Sequence, residues 1–108
     1  MKSVRYEVEI YSDDNDQSPF LDWLKKVSPV DERRIRKRIL RIEDGNLGDY
    51  KSVGDGVFEL RFFFGSGYRV YFGFNGETVV LLLSGGDKST QSKDVSKAKK
   101  IWKEAHNG

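Results

Sequence analysis

The chain has no cysteine among its 108 residues, so neither a disulfide nor a thiolate metal ligand is available, a usage that fits a reducing compartment. Its one histidine, His106, falls within the last three residues, where chain ends fray. A Ser-His-Asp set and a clustered metal site are therefore missing, and Gly85-Gly86-Asp87-Lys88 lacks the spacing of a phosphate-binding P-loop. No run approaches the roughly 18 apolar residues of a membrane span, and Met1-Lys2-Ser3-Val4 leads into a strand pattern rather than an apolar signal region. A cytoplasmic protein without cofactor, metal or membrane contact is expected. Excess charge of one sign is also lacking. Nineteen basic against 17 acidic residues give +2, too little to announce a nucleic-acid binder.

What is present is an uneven distribution. Arg33, Arg34, Arg36, Lys37, Arg38 and Arg41 crowd one segment, Lys93, Lys97, Lys99, Lys100 and Lys103 another, and Asp13, Asp14 and Asp16 a loop. A chain of 108 residues makes one domain, 1–108, able to bury about 60–70% of its unfolded surface. Val4, Tyr6, Val8 and Ile10 alternate with polar residues as a half-buried strand does. The only two prolines, Pro19 and Pro29, each follow a serine and mark helix starts. Phe20, Trp23, Leu24 and Val27 form the stripe of the first helix; Ile35, Ile39 and Ile42 form that of the second, which should end near Asp44-Gly45. Asp31, three residues after Ser28, resembles the acid of a capping box.

Residues 45–56, with four glycines, read as a long loop, followed by strands at about 57–64, 68–74 and 77–84. The last strand is apolar on both faces and should be interior, with the N-terminal strand as a plausible neighbour. Val95, Ala98, Ile101, Trp102 and Ala105 give a terminal helix its core face. The fold class is α+β in the order β-α-α-β-β-β-α.

Asn75-Gly76 is the signal of a two-residue type I′ hairpin and would set Phe72 against Val79, Val70 against Leu81 and Arg69 against Leu82. A three-residue loop at Gly65–Gly67 would set Phe62 against Val70, Leu60 against Phe72 and Arg61 against Tyr71, with Arg61 and Arg69 diagonal at roughly 7–8 Å. Both arginines then lie opposite the core set Phe58, Leu60, Phe62, Phe64, Val70, Phe72 and Phe74. An arginine on an outer sheet face is ordinarily just solvated. Here Phe63, Val80 and Leu82 are expected on that face, so the terminal helix or a partner should partly cover it. Lys88 should return to the Gly65–Gly67 turn as a third cation, with Tyr68 and Tyr71 as aromatic neighbours. Two guanidinium groups and a lysine so arranged could clamp a phosphate. The Arg33–Arg41 segment reads first as a solvated helix face, with weak, salt-sensitive attraction to nucleic acid as a second property.

At Glu59-Leu60-Arg61, Gly67-Tyr68-Arg69-Val70-Tyr71 and Leu81-Leu82-Leu83-Ser84-Gly85-Gly86-Asp87-Lys88, the chain resembles toxins of the RelE/ParE superfamily, nearest to HigB-like addiction module killer proteins. The likeness covers nearly the whole chain. It implies a mostly antiparallel sheet with an N-terminal αα hairpin on one face and a C-terminal helix. It also implies a ribosome-dependent endoribonuclease that cuts mRNA through the ribose 2′-OH, neutralised by an antitoxin, commonly a helix-turn-helix protein. Members that inhibit DNA gyrase share the fold, and an inactive binding module is a further possibility. Matched by motif, Arg61, Arg69 and Lys88 stand at basic or phosphate-contacting positions. Glu59, Tyr71 and Lys51 are candidate acid/base or supporting groups, and Tyr68, Arg33, Arg34 and Arg38 candidate RNA contacts. The tyrosine that some members carry near the start of the last helix has Asp94 in its place, and Glu59 stands where some have lysine.

Overall fold

Serine followed by proline starts both N-terminal helices. In the computed structural model, which describes residues 5–107, Ser18 Oγ accepts from the Leu21 N–H at 3.2 Å and Ser28 Oγ from the Asp31 N–H at 3.3 Å. Helices α1 (Pro19–Leu24) and α2 (Pro29–Glu43) follow. The Asp31 carboxylate does not complete a capping box; it accepts instead from the Tyr68 hydroxyl at 2.8 Å. Helix α1 stops before Val27, and α2 closes with Asp44 as its C-cap, near Asp44-Gly45 as expected.

Five strands form one sheet in the order β1-β5-β4-β3-β2, with β1 Glu7–Ile10, β2 Tyr50–Gly54, β3 Val57–Arg61, β4 Arg69–Asn75 and β5 Val79–Gly86. Strand β1 runs parallel to the interior β5; the other pairings are antiparallel. Val4, where the N-terminal alternation begins, lies outside the described residues. The α+β class holds, with one strand more than expected. The 45–56 segment contains β2, which closes on β3 through Asp55-Gly56 at φ 56° and 82°, a two-residue turn with both central residues left-handed. A one-turn helix, Lys88–Thr90, leads into α3, Gln91–Asn107.

Both hairpin registers differ from expectation. The β4–β5 turn holds three residues, so Asn75 pairs with Val79, Phe72 with Leu82, Val70 with Gly85 and Arg69 with Gly86, a bulge at Leu83 adding one residue on the way. The cause is the parity of the apolar residues. The tighter turn would send Val80 and Leu82 to the face of Arg69, whereas the observed one buries both beside Phe72. Across β3–β4, Leu60 pairs with Val70 and Phe58 with Phe72, and Arg61 stands directly opposite Arg69 rather than diagonal to it. The connecting loop is longer, closed by Phe62 N–H to Tyr68 O at 3.0 Å and Gly67 N–H to Phe64 O at 3.2 Å. That shift of two residues leaves the faces unchanged.

The helical hairpin covers one face, where Phe20, Leu24, Ile35 and Ile42 pack on Leu60, Phe62, Val70, Phe72, Val80 and Leu82. Helix α3 covers the other, placing Ala98 and Ile101 on Val57, Tyr71 and Leu83, while Ala105 is exposed. Two tryptophans sit on glycines. Trp102 lies against Gly73 on the α3 side and Trp23 against Gly85 on the opposite side, and a Cβ at either glycine would run into the ring. Gly73→Ala and Gly85→Ala should each lower stability by about 1–3 kcal/mol, the usual cost of overpacking. Urea unfolding checks this, and a parental midpoint for both variants would contradict the packing described.

Candidate functional site

Pairing across the sheet sets two polar rows on the face under α3. Lys51, Glu59, Tyr71 and Ser84 occupy one row, on β2, β3, β4 and β5; Arg61, Arg69 and Gly86 occupy the next. Helix α3 seals the middle of the first row. Glu59 is fully buried, with Oε2 accepting from the Tyr71 hydroxyl at 3.2 Å and from Gln91 Nε2 at 2.8 Å, while Oε1 lies 3.7 Å from Arg69 Nε. That last approach is an ion pair without a hydrogen bond. Among the described residues, Glu59 Oε1, Arg61 Nε, Arg69 Nε and the Ser84 hydroxyl are buried without hydrogen-bond partners. Burial, and then the Glu59 charge, push the Tyr71 phenol far above its ordinary value, so it stays neutral and donates.

Arg69 lies on the face expected to be partly covered, and it is enclosed further than an outer-face arginine, being 8% exposed. Its Nη1 donates to the carbonyls of Gly67 and Tyr68, both at 3.2 Å, and reaches toward that of Phe62 at 3.5 Å. Arg61 is less enclosed, its side chain 32% exposed, and it forks onto Asp49 with Nε 3.3 Å from Oδ2 and Nη2 3.4 Å from Oδ1. Lys88 is exposed, and its backbone N–H reaches Ser66 O at 3.4 Å, which brings it to the Gly65–Gly67 turn. A Cβ on Gly67 would stand 3.3 Å from Lys88 Cβ and 3.8 Å from Arg69 Nη1, and the backbone there has φ 75°, a conformation that favours glycine. Arg69, Lys88, Phe62, Phe63 and Gly65 to Gly67 line a cleft of about 460 Å³. Two of the expected cations meet there, and the third, Arg61, is their neighbour in register.

The other candidates fall in different places. Lys51 is exposed on the edge strand β2. Tyr68 turns toward the helical hairpin, its ring edge-on to Trp23 at 5.9 Å and Phe64 at 5.8 Å; the hydrogen bond to Asp31, and then burial, raise its phenol. Arg38 donates to the carbonyls of Arg61, Leu47 and Asp49 and lies 4.6 Å over the Phe62 ring, tying α2 to the sheet. Burial lowers its pKa, with Asp49 opposing the shift. Arg33 and Arg34 are exposed on α2. Asp94, where some resembled proteins have tyrosine, accepts from Thr90 Oγ1 and packs against Gly86. Asp87 holds the entry to α3, its pKa lowered chiefly by the Ser89 hydroxyl bonded to it.

Sequence reasoning missed Asp49, hidden in the segment taken for a loop, and Gln91, whose reach to Glu59 across the α3–sheet interface has no local signal. Because Arg69 is enclosed, Arg69→Ala leaves the Glu59 carboxylate buried without its cation, which should cost about 3–5 kcal/mol. Arg61→Ala breaks a partly solvated pair and should cost within about 1 kcal/mol. Chemical unfolding of the two variants separates them; equal losses would contradict the burial described.

Comparison with known proteins finds relatives over most of the chain. The family profile described as phage derived protein Gp49-like matches residues 22–104. A Haemophilus influenzae strain Rd protein, described as uncharacterized, is 49% identical over 86 residues, covering 79% of this chain and 87% of its own length. On both counts, the chain belongs to the family of phage-derived Gp49-like proteins.

Proposed function

We propose that this protein is the toxin of a type II toxin–antitoxin module of the RelE/ParE superfamily, HigB-like, and that it cuts mRNA on the ribosome. The Gp49-like family is associated with toxin–antitoxin addiction modules, which supports the first part. The observation that carries the second is the meeting of Arg69 and Lys88 beside Gly67 in one cleft, with Arg61 opposite Arg69 and the Asp87 carboxylate held at the cleft's edge by the Ser66 hydroxyl at 3.1 Å. A phosphodiester is the ligand such a cleft suits. A cognate antitoxin, of the helix-turn-helix kind, would complete the module, and the ribosome and mRNA would be the cytoplasmic targets.

The chemistry follows from what the cleft contains. The ribose 2′-oxygen attacks the adjacent phosphorus, forming a 2′,3′-cyclic phosphate as the bond to the 5′-oxygen breaks. Because nucleophile and electrophile share one nucleotide, alignment supplies a large part of the rate, up to about 7–11 kcal/mol in favourable systems. A codon held by the ribosome arrives partly aligned. Arg69, braced by Glu59 and three backbone carbonyls, offers its guanidinium to the charge developing on the phosphate oxygens, and Arg61 adds to the same field. Lys88, the exposed member, donates a proton to the leaving 5′-oxygen while the 2′-OH proton passes to water. Glu59 and Tyr71 act as support: buried and bonded to each other, they hold the arginine rather than meet the substrate.

Purified protein from an EDTA-treated stock, added to translating ribosomes in their ordinary magnesium buffer, should cut the mRNA and leave a 5′-hydroxyl, with DNA gyrase supercoiling normally in a parallel assay. Lys88→Ala should keep the parental unfolding midpoint and lose about 10²–10³ in cleavage rate, the scale of one charge-stabilising donor. Intact mRNA together with inhibited gyrase would assign the chain to the non-nuclease branch.

A further inference from the structure

Three successive phenylalanines, Phe62, Phe63 and Phe64, each carry an arginine. Arg38 lies 4.6 Å over Phe62, Arg34 lies 4.8 Å over Phe64, and Arg61 is 5.9 Å from the centre of Phe63. Phe62 is buried and Phe64 half-buried against the helical hairpin; Phe63 turns outward and is 77% exposed. Leaving a phenylalanine in water forgoes about 1.5–3 kcal/mol of burial. A lone exposed apolar side chain is ordinary on protein surfaces. This one is placed by its backbone, however, because the hydrogen bonds closing the loop pin Phe62 on one side and Phe64 on the other.

Phe63 also borders two clefts. One is the Arg69–Lys88 cleft; the second, about 450 Å³, is lined by Phe63, Phe64, Arg34, Lys37, Arg38 and Arg41. Among the described residues neither is lined by an acidic side chain, although Asp87 accepts from the Ser66 hydroxyl at the edge of the first at 3.1 Å; the cleft of about 550 Å³, by contrast, holds Asp13, Asp22, Asp87 and Asp94. Arg38 is committed to backbone carbonyls, but Arg34, Lys37 and Arg41 are exposed and form no ion pair among the described residues. They recur at three- and four-residue steps on α2 and so share a face about 10 Å long at 1.5 Å per residue.

We infer that Phe63 is a stacking platform for an unpaired base of single-stranded RNA, whose backbone leaves the Arg69–Lys88 cleft, passes Phe63 and continues along Arg34, Lys37 and Arg41. The inference rests on the proposed reading that the substrate is RNA and identifies where flanking nucleotides lie. An aromatic face beside a guanidinium offers a plane to any base, and cations on both sides of it meet the phosphates before and after that base. An acidic peptide without an apolar anchor would satisfy the cations while leaving Phe63 unused.

The test is binding rather than cleavage. A fluorescein-labelled, single-stranded oligonucleotide of about 12 residues, with 2′-O-methyl riboses that cannot attack their phosphates, is titrated with the full chain at low salt. Phe63→Ala should weaken binding about tenfold, within the range found for loss of one stacked base, while Phe63→Trp should retain the parental affinity. The Lys37→Ala/Arg41→Ala double variant should bind more weakly and with a flatter salt dependence, the log–log slope falling by about 0.7 for each phosphate left without its cation. Urea midpoints close to the parent's show that each variant is folded. Equal affinity of Phe63→Ala and parent, no binding by the parent, or an equal effect of Phe63→Ala on polyglutamate binding would overturn the inference. Phe63-dependent binding by a protein that leaves ribosomal mRNA intact would refute the cleavage reading alone. Cleavage of ribosomal mRNA with no Phe63-dependent binding would refute this inference alone.

Discussion

A carboxylate sealed from water between a sheet and a helix requires a cation and hydrogen-bond donors, and Glu59 draws both from neighbouring elements. Arg69 and Tyr71 come from the adjacent strand β4, and Gln91 from the first turn of α3. These bonds tie both β4 and α3 to β3. The group therefore fixes where α3 lands, and α3 in turn buries Val57, Tyr71 and Leu83. Unpartnered atoms remain at Glu59 Oε1, Arg61 Nε, Arg69 Nε and Ser84 Oγ, so this polar set is not simply a stability device. Its product is a guanidinium with little freedom, pointing at the carbonyls beside Gly67 and bordering a cleft that also holds Lys88.

The two faces of the sheet divide the labour. On the side of the helical hairpin, aromatic and aliphatic residues pack together, and Gly85 lets Trp23 approach. On the α3 side the packing is thinner and mixed, with glycines at positions 73 and 86 admitting Trp102 and the Asp94 carboxylate. The cations sort themselves in a similar way. Arg38, Arg61 and Arg69 are spent wholly or partly on carbonyls and carboxylates of the protein itself, whereas Lys88, Arg34, Lys37 and Arg41 face solvent. Under the proposed function, Arg61 and Arg69 would hold the transition-state charge in place and the solvent-facing group would meet the nucleic acid.

Much of this was legible in the residues. Ser-Pro pairs announced both N-terminal helices because the serine hydroxyl and the proline ring each suit a helix start. The doubly apolar last strand announced its interior place beside β1. Alternation put Arg61 and Arg69 on one face, a property that survives a register error of two residues. The β4–β5 register was misread because Asn75-Gly76 fits a two-residue turn so well locally; the burial of Val80 and Leu82, a tertiary demand, selects the longer loop. Strand β2 was missed because Gly45, Gly48, Gly54 and Gly56 suggest a loop, although Asp55-Gly56 is itself a hairpin turn. The burial of Arg69 depends on where α3 docks, and no periodicity within a strand reports that.

Fold and family leave open whether a member acts on RNA or on another target, and the answer lies in the cleft rather than in the sheet. The most direct measurement is a map of new RNA 5′-hydroxyl ends in cells expressing the parent chain and the Lys88→Ala variant at equal levels. The account predicts such ends within translated coding sequences for the parent and a steep loss of them for Lys88→Ala. Growth arrest by the parent without new 5′-hydroxyl ends, or the same ends from both proteins, would contradict it.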